Sequence, residues 1–205
     1  MLEDSRLQTI HDTLQERLSW VRCAMESIYH RHNTSAILRS ADSFGVMDVH
    51  LIPGNLKPSK GPSRGVKRWL KIHDHPTTAD AIKAIKEEGY ALWVADFQSP
   101  PISPDEIPLE KPVCLWFGAE FEGVSAEARA AADGVVTIPM RGFSQSLNVS
   151  VASAVILQTV CERARRIHGD KALLSPKVRQ EIWETWKHRE EIKRAEIRER
   201  SRPNS

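Results

Sequence analysis

Long apolar runs are missing from this 205-residue chain, and so are the marks of export. No stretch approaches the roughly 20 apolar residues that cross a bilayer. The opening MLEDSRLQTI carries acids and no apolar leader core, so the expected location is the cytoplasm and no membrane partner is expected. Cysteine is scarce. Cys23, Cys114 and Cys161 stand far apart with no Cys-x-x-Cys pair, which argues against a disulfide framework or a zinc cluster. Each lies in an apolar segment and reads as a small packing residue.

Charge of either sign is nearly balanced, at +2 overall, but it is unevenly spread. From residue 162 onward there are 13 Lys/Arg against 8 Asp/Glu. A second basic spot, NLKPSKGPSRGVKRW, holds Lys57, Lys60, Arg64, Lys67 and Arg68 with no acid. Local basic patches on a neutral chain point to a polyanion. For the tail alone, a solvated helix face explains the Glu/Lys/Arg alternation equally well.

Nucleotide motifs are also lacking. GAEFEG (118–123) has the glycine spacing of a P-loop, but Val124 stands where the lysine belongs. No G-x-G-x-x-G follows a strand. GFSQS resembles a nucleophile elbow, yet Ser146 replaces its closing glycine, and His168 lies about five helical turns away. HDH (73–75) precedes Pro76 and reads as a solvated turn, not a metal site; no metal is expected.

What is present alternates regularly. Leu7, Ile10, Leu14 and Leu18 predict an N-terminal amphipathic helix. SWVRCAM predicts a strand, and Asn33 a cap for a helix ending at Gly45. VMDVHLI predicts a strand, the stretch after Pro53 a loop, and the region near RWLKI a short strand. PTTADAIKAIKEEG predicts a capped helix, YALWVADF and PVCLWFG two strands, and Ser125 a cap for AEARAAAD. GVVTIPM is a further strand. Long helices follow over about 148–167 and 176–200, the second with Ile182, Trp183, Trp186 and Ile192 on one stripe. The pattern implies an α/β fold, a mostly parallel sheet with helices on both faces. In such sheets ligands sit beyond the carboxyl ends of the strands, where the polar loops at 95–96, 118–123 and 142–148 fall.

The last of these loops concentrates hydrogen-bonding groups at a strand-to-helix junction: Ser144, Gln145, Ser146, Asn148, Ser150 and Ser153. With NTSAILRSADSFGV (33–46) and LWFGAEFEGVS (115–125), the segment IPMRGFSQSLNVSVASA (138–154) resembles the three motifs of SPOUT-class RNA ribose 2′-O-methyltransferases. Their order and spacing fit over about 20–168. MESIYHRHNTSAILR and QSLNVSVASAVIL are most similar to the tRNA (guanosine-18) 2′-O-methyltransferase group within that class.

The resemblance implies a C-terminal deep trefoil knot, S-adenosylmethionine bound in it, tRNA as substrate, and a homodimer. It divides the chain into an N-terminal helix (1–19), a methyltransferase domain (20–168) and a basic helical extension (169–205). Ala95, Gly118, Ile138 and Leu147 match positions whose backbone lines the cofactor pocket. Arg39 matches the catalytic arginine. A guanidinium is a poor base, so its implied work is to bind phosphate and stabilise the developing alkoxide; pairing with Asp42 is the alternative. Asn33 would hold Arg39 or the ribose, Glu120 would orient backbone or substrate groups, and Ser146 and Asn148 would order Arg39 and the cofactor. Ser150 and Ser153 would pack or cap the helix behind. Arg31, Lys57, Lys60, Arg64, Lys67, Arg68 and the tail would contact phosphate. The rival expectations are a different tRNA or ribosomal-RNA ribose, and a non-catalytic RNA binder on the same scaffold.

Overall fold

The computed structural model describes residues 2–53, 64–97 and 101–200. Its strands are β1 (Val21–Glu26), β2 (Asp48–Ile52), β3 (Lys71–Asp74), β4 (Ala91–Ala95), β5 (Val113–Phe117) and β6 (Gly134–Val136). Every pairing is parallel, in the order β3-β2-β1-β5-β4-β6. The helices are α1 (Leu2–Gln15), α2 (Arg31–Ser43), α3 (Arg64–Lys67), α4 (Thr78–Glu87), α5 (Ala126–Ala131), α6 (Val149–His168) and α7 (Pro176–Arg200).

Successive strand residues point to opposite faces, and the two faces have different covers. Cys23, Met25, Val49, Trp93, Leu115 and Phe117 pack with Ile37 and Leu38 of α2 and Ile156, Leu157 and Val160 of α6. Ala24, Leu92, Val94, Cys114 and Trp116 pack instead with Ala81 and Ile85 of α4 and Ala128 of α5. A sheet covered on both sides needs apolar residues in unbroken runs, and β5, VCLWF, is buried at every position. All three cysteines are in this interior, where burial pushes the Cys161 thiol up to about 12 and raises Cys23 and Cys114 as well. They pack and do not react.

The two ends of the chain share a smaller core. Ile10 and Leu14 of α1 meet Trp186 of α7, Leu174 and Met47. Arg6 pairs with Glu190 at 3.2 Å, and Arg179 donates to the Gln15 side chain at 2.7 Å. Of the expected stripe on α7, Ile182, Trp183 and Trp186 pack here, whereas Ile192 is exposed. Arg17 joins this unit to α2. Its buried guanidinium donates to the carbonyls of Asp42 (3.1 Å) and Val46 (3.3 Å), ion-pairs with the Asp42 carboxylate, and lies over the Trp186 ring.

Two local expectations are corrected. Asn33 does not cap α2: His30 occupies the cap position without a side-chain bond, and Asn33 sits buried in the first turn. The HDH segment is not a solvated turn. His73 lies on β3 and His75 just after it, so both side chains reach the same face. There the His73 Nε2 is 2.7 Å from Asp48 Oδ1, and the His75 Nε2 is 2.8 Å from Nδ1 of the buried His50. The short strand begins at Lys71, slightly later than the RWLKI reading. Thr77 and Ser125 do cap α4 and α5, each accepting a backbone N–H at 3.1 Å. Gly45 and Gly89 close their helices at φ of 82° and 83°.

Candidate active site

The strand order steps outward from β1 through β2 to β3, then crosses to β4 on the other side of β1, and β5 fills the place between β4 and β1. Ligands favour the crevice at such a switch, beyond the carboxyl ends of the strands. Here the loop after β1 carries Tyr29 and His30 into α2, and the loop after β5 carries Glu120.

Glu120 reaches across that crevice. Its carboxylate accepts from the backbone N–H groups of Tyr29 (3.1 Å) and His30 (3.2 Å), at the positive end of α2, and from Asn33 Nδ2 (2.7 Å). Partial burial pushes its pKa up. The hydrogen bonds from Asn33, its own loop, Tyr29 and His30 outweigh that, and the carboxyl stays below the usual range. Asn33 Oδ1 in turn accepts from Asn148 Nδ2 at 3.2 Å. Asn148 is the N-cap of α6, its Oδ1 taking the Ser150 N–H (2.8 Å) and hydroxyl (2.6 Å). Ser153 bonds back to the Ser150 carbonyl inside the helix. One line of hydrogen bonds therefore joins the three motif segments, 33–46, 115–125 and 138–154, and two helix N-termini. Every polar end of Asn33 is used, as its burial requires.

Beside this line opens a cavity of about 380 Å³, lined from the ends of β4, β5 and β6 and from the start of α6. All four expected cofactor positions, Ala95, Gly118, Ile138 and Leu147, line it, with Glu120, Ser146 and Asn148. Its size is that of a small-molecule pocket. At Gly118 the backbone runs so close to Gly123 that an added Cβ would overlap the Gly123 carbonyl group. Such a wall of main chain lets N–H and C=O groups meet a ligand directly. Among the described residues, no three His, Cys, Asp or Glu side chains are arranged to hold a metal ion.

Arg39 and Arg31 stand apart from this cluster. Both are exposed on α2, and neither lines the cavity. Asp42 is engaged by Arg17, so the alternative of an Arg39–Asp42 pair does not occur. Asn33 bonds Glu120 and Asn148 instead of Arg39. Of the expected phosphate contacts, Lys57 and Lys60 lie outside the described residues, as does the Arg64 side chain. Lys67 is exposed. Arg68 is half-buried and lies over the Trp69 ring, 4.6 Å from its centroid, so it is not a freely projecting cation. Trp69 meets Trp186 edge-on, and Arg189 donates to the Arg68 carbonyl at 3.0 Å, which brings α7 beside this basic segment.

The elbow reading of GFSQS loses its base: His168, at the far end of α6, packs against Trp20 and bonds the Leu109 carbonyl. Sequence reasoning placed Asp96 in a polar loop at the ligand end of the sheet but gave it no role. It lines the cavity at the end of β4, nearly buried, with its carboxylate held by Arg129 Nε at 2.7 Å. Arg129 also donates to the Val124 carbonyl, so it fastens the loop after β5 to the end of β4. Only the acid-after-strand placement hinted at it; the partner lies 33 positions on.

Residues 21–158 match the SpoU rRNA Methylase family. The chain belongs to that family. It is 34% identical over 186 residues to the tRNA (guanosine(18)-2′-O)-methyltransferase of Thermus thermophilus, covering 89% of this chain and 96% of that one. To the enzyme of the same description from Escherichia coli K12 it is 35% identical, over 76% of this chain and 69% of that one. Among solved structures, the A. aeolicus TrmH/SpoU tRNA modifying enzyme superposes with a TM-score of 0.82 at 27% identity, over 93% of this chain and 98% of that one. The likeness therefore reaches past the SpoU core into both terminal helices.

Proposed function

We propose that this SpoU family member transfers a methyl group from S-adenosylmethionine to the ribose 2′-hydroxyl of guanosine-18 in tRNA. The observation that carries the chemistry is the line Glu120–Asn33–Asn148 beside a cavity walled by main chain. The tRNA target rests on the T. thermophilus relative, matched over nearly its whole length.

When bound, the cofactor supplies an electrophilic methyl on a sulfonium. Ala95, Gly118, Ile138 and Leu147 would hold it through backbone and apolar contacts, and Asp96, paired with Arg129, closes one wall. Glu120 stays ionised and acceptor-only. Its work is to fix the start of α2 and the Asn33 amide, so that Asn33, Ser146 and Asn148 present a rigid polar rim to the ribose. The exposed guanidinium of Arg39 would bind the adjoining phosphate and stabilise the negative charge that develops on the ribose 2′-oxygen. The hydroxyl proton leaves to that phosphate or to solvent.

Lys67 and α7 supply phosphate contacts that position the RNA without reading its sequence. Leu147, Val151 and Val155, all exposed at four-residue spacing, together with Phe143, favour a homodimer across the start of α6. The return of α6 from β6, at the sheet edge, to the faces of β1 and β5 favours the C-terminal knot. The division at residues 19 and 168 stands as the working domain scheme. No described helix is long and apolar enough to cross a membrane, and with a tRNA substrate the cytoplasm is the proposed location.

The test is methyl transfer from labelled S-adenosylmethionine to unmodified tRNA and, separately, to ribosomal RNA, with the 2′-O-methyl mapped by mass spectrometry. A single label at guanosine-18 is expected. Label at another ribose overturns the target and keeps the chemistry; no label on either RNA overturns both.

A further inference from the structure

Three rings lie in a row at the mouth of this site, and no part of the core supports them. His30 and His32 stack with centroids 5.2 Å apart and planes 24° from parallel. Phe121 meets His30 edge-on at 6.4 Å. All three residues are exposed, and Phe121 leaves 83% of its surface to solvent. A lone exposed phenylalanine is ordinary. Three contiguous rings, two at the start of α2 and one on the loop after β5, are not, when one of them also lines the cavity.

Their mounting is firm although their faces are free. Phe121 follows Glu120, and the same carboxylate that binds Asn33 takes the His30 backbone N–H. The Phe121 and His30 backbones are thus fixed to each other across the crevice. The Tyr29 backbone N–H, donating to the same Glu120 carboxylate at 3.1 Å, ties the loop after β1 to the loop after β5 once more. Arg31, between the two histidines in sequence, is exposed.

Resting on the function proposed above, we propose that Phe121, His30 and His32 form a stacking platform for the base of the nucleotide being methylated. A protein reaches an RNA ribose in a folded loop by receiving an unstacked nucleotide, and an exposed ring replaces the stacking that the base gives up. The platform borders the cavity that holds the methyl donor, so the base attached to the reacting ribose is the one within reach. Arg31 is placed for the neighbouring phosphate. Every base has a π-face, so stacking tolerates all four. The platform therefore sets affinity for a flipped-out nucleotide, favouring purines by area, and leaves the choice of guanine to hydrogen-bonding groups elsewhere.

Steady-state methylation of tRNA by Phe121→Leu and Phe121→Trp variants is the first arm. Leucine keeps apolar bulk but has no flat face. Phe121→Leu is expected to raise KM for tRNA about tenfold with an unchanged melting temperature, and Phe121→Trp to restore it. The second arm places 6-thioguanosine at the target position, irradiates the complex and maps the cross-linked peptide, expected within 29–32 or at Phe121. Wild-type KM in Phe121→Leu, or a cross-link only elsewhere, overturns the platform while methylation of guanosine-18 by the unaltered enzyme keeps the function. Absence of methylation by the unaltered enzyme overturns the function and the platform with it.

Discussion

Asn33 and Glu120, 87 positions apart in sequence, are joined side chain to side chain at 2.7 Å across the carboxyl ends of the neighbouring strands β1 and β5. The amide sits on α2 and the carboxylate follows β5, so the bond locks the two halves of the sheet at their shared end. Replacing Asn33 by alanine leaves the Asn148 amide without its acceptor and removes one of the Glu120 donors. A stability loss of about 1–3 kcal/mol is expected, with a fall in kcat of roughly 100-fold from misplacement of the rim. Thermal melting and single-turnover methyl transfer measure the two separately; loss of stability without loss of kcat would limit Asn33 to packing.

Arg39 is exposed on α2 and has no hydrogen-bond or ion-pair partner among the described residues. Lysine keeps the charge but lacks the planar fork. Arg39→Lys is expected to lower kcat by about 100- to 1,000-fold while leaving the melting temperature within a degree or so. Turnover near that of the unaltered enzyme would remove Arg39 from the reaction.

Main chain forms one wall of the cavity because Gly118 allows it. With alanine there, the new methyl overlaps the Gly123 carbonyl, and one loop must shift. Overpacking of about 1–3 kcal/mol at the wall translates into cofactor binding roughly 10- to 100-fold weaker. Calorimetric titration with S-adenosylmethionine checks this without any RNA present.

Stability should fall in mild acid for a reason unrelated to the site. Burial, followed by the neighbouring His73, Arg22 and His75, lowers the His50 pKa to about 3, and burial with His73 lowers that of His75. The Nε2 of His50 is buried with no partner, so its proton sits on Nδ1 and is shared with His75. Both folded values lie below the unfolded value of about 6.5, so the unfolded chain takes up protons that the folded chain refuses. Stability from this pair is complete above about pH 6.5 and declines as pH falls toward 3. Between pH 7 and 5, before most carboxylates titrate, His50 alone accounts for about 2 kcal/mol. Urea midpoints across that range should show the slope, and a His50→Gln variant should flatten it.

Contacts from α7 to tRNA should appear in the salt dependence of binding. Cutting the helix away would expose Ile10 and Leu14, so charge reversal on its surface is the cleaner test. Lys177→Glu with Lys193→Glu, both exposed, is expected to reduce the slope of log K against log salt by about two. An unchanged slope would show that α7 serves only to cover α1.

The periodic features were legible because they depend on neighbours in sequence. The strands of unbroken apolar residues, the caps Thr77 and Ser125, and the closing glycines 45 and 89 all follow from local physics. The four positions that the resemblance gives to a cofactor pocket, Ala95, Gly118, Ile138 and Leu147, all line one cavity. Asn33 was misread as a cap because capping is what a lone asparagine before a helix usually does. Its partners are 87 and 115 residues away, and no local rule reaches them. The histidines failed in the same way: HDH looks solvated until β2 places His50 and Asp48 beside it. Asp96 carried no motif at all, and only the fold brings Arg129 to it.

An all-parallel sheet contains no hairpin, and that governs how the polypeptide can assemble during synthesis. β1 is made first yet lies in the middle, with Val21 paired to Val113 on one side and Cys23 to Val49 on the other. Its second edge therefore stays open until most of the domain has left the ribosome, and β6 and α6 come later still. Contacts so distant in sequence close slowly, and an uncovered strand edge is where a nascent chain pairs with the wrong neighbour. The same crossover that opens the crevice beside β1 thus leaves the middle of the sheet to close only after β5 has been made.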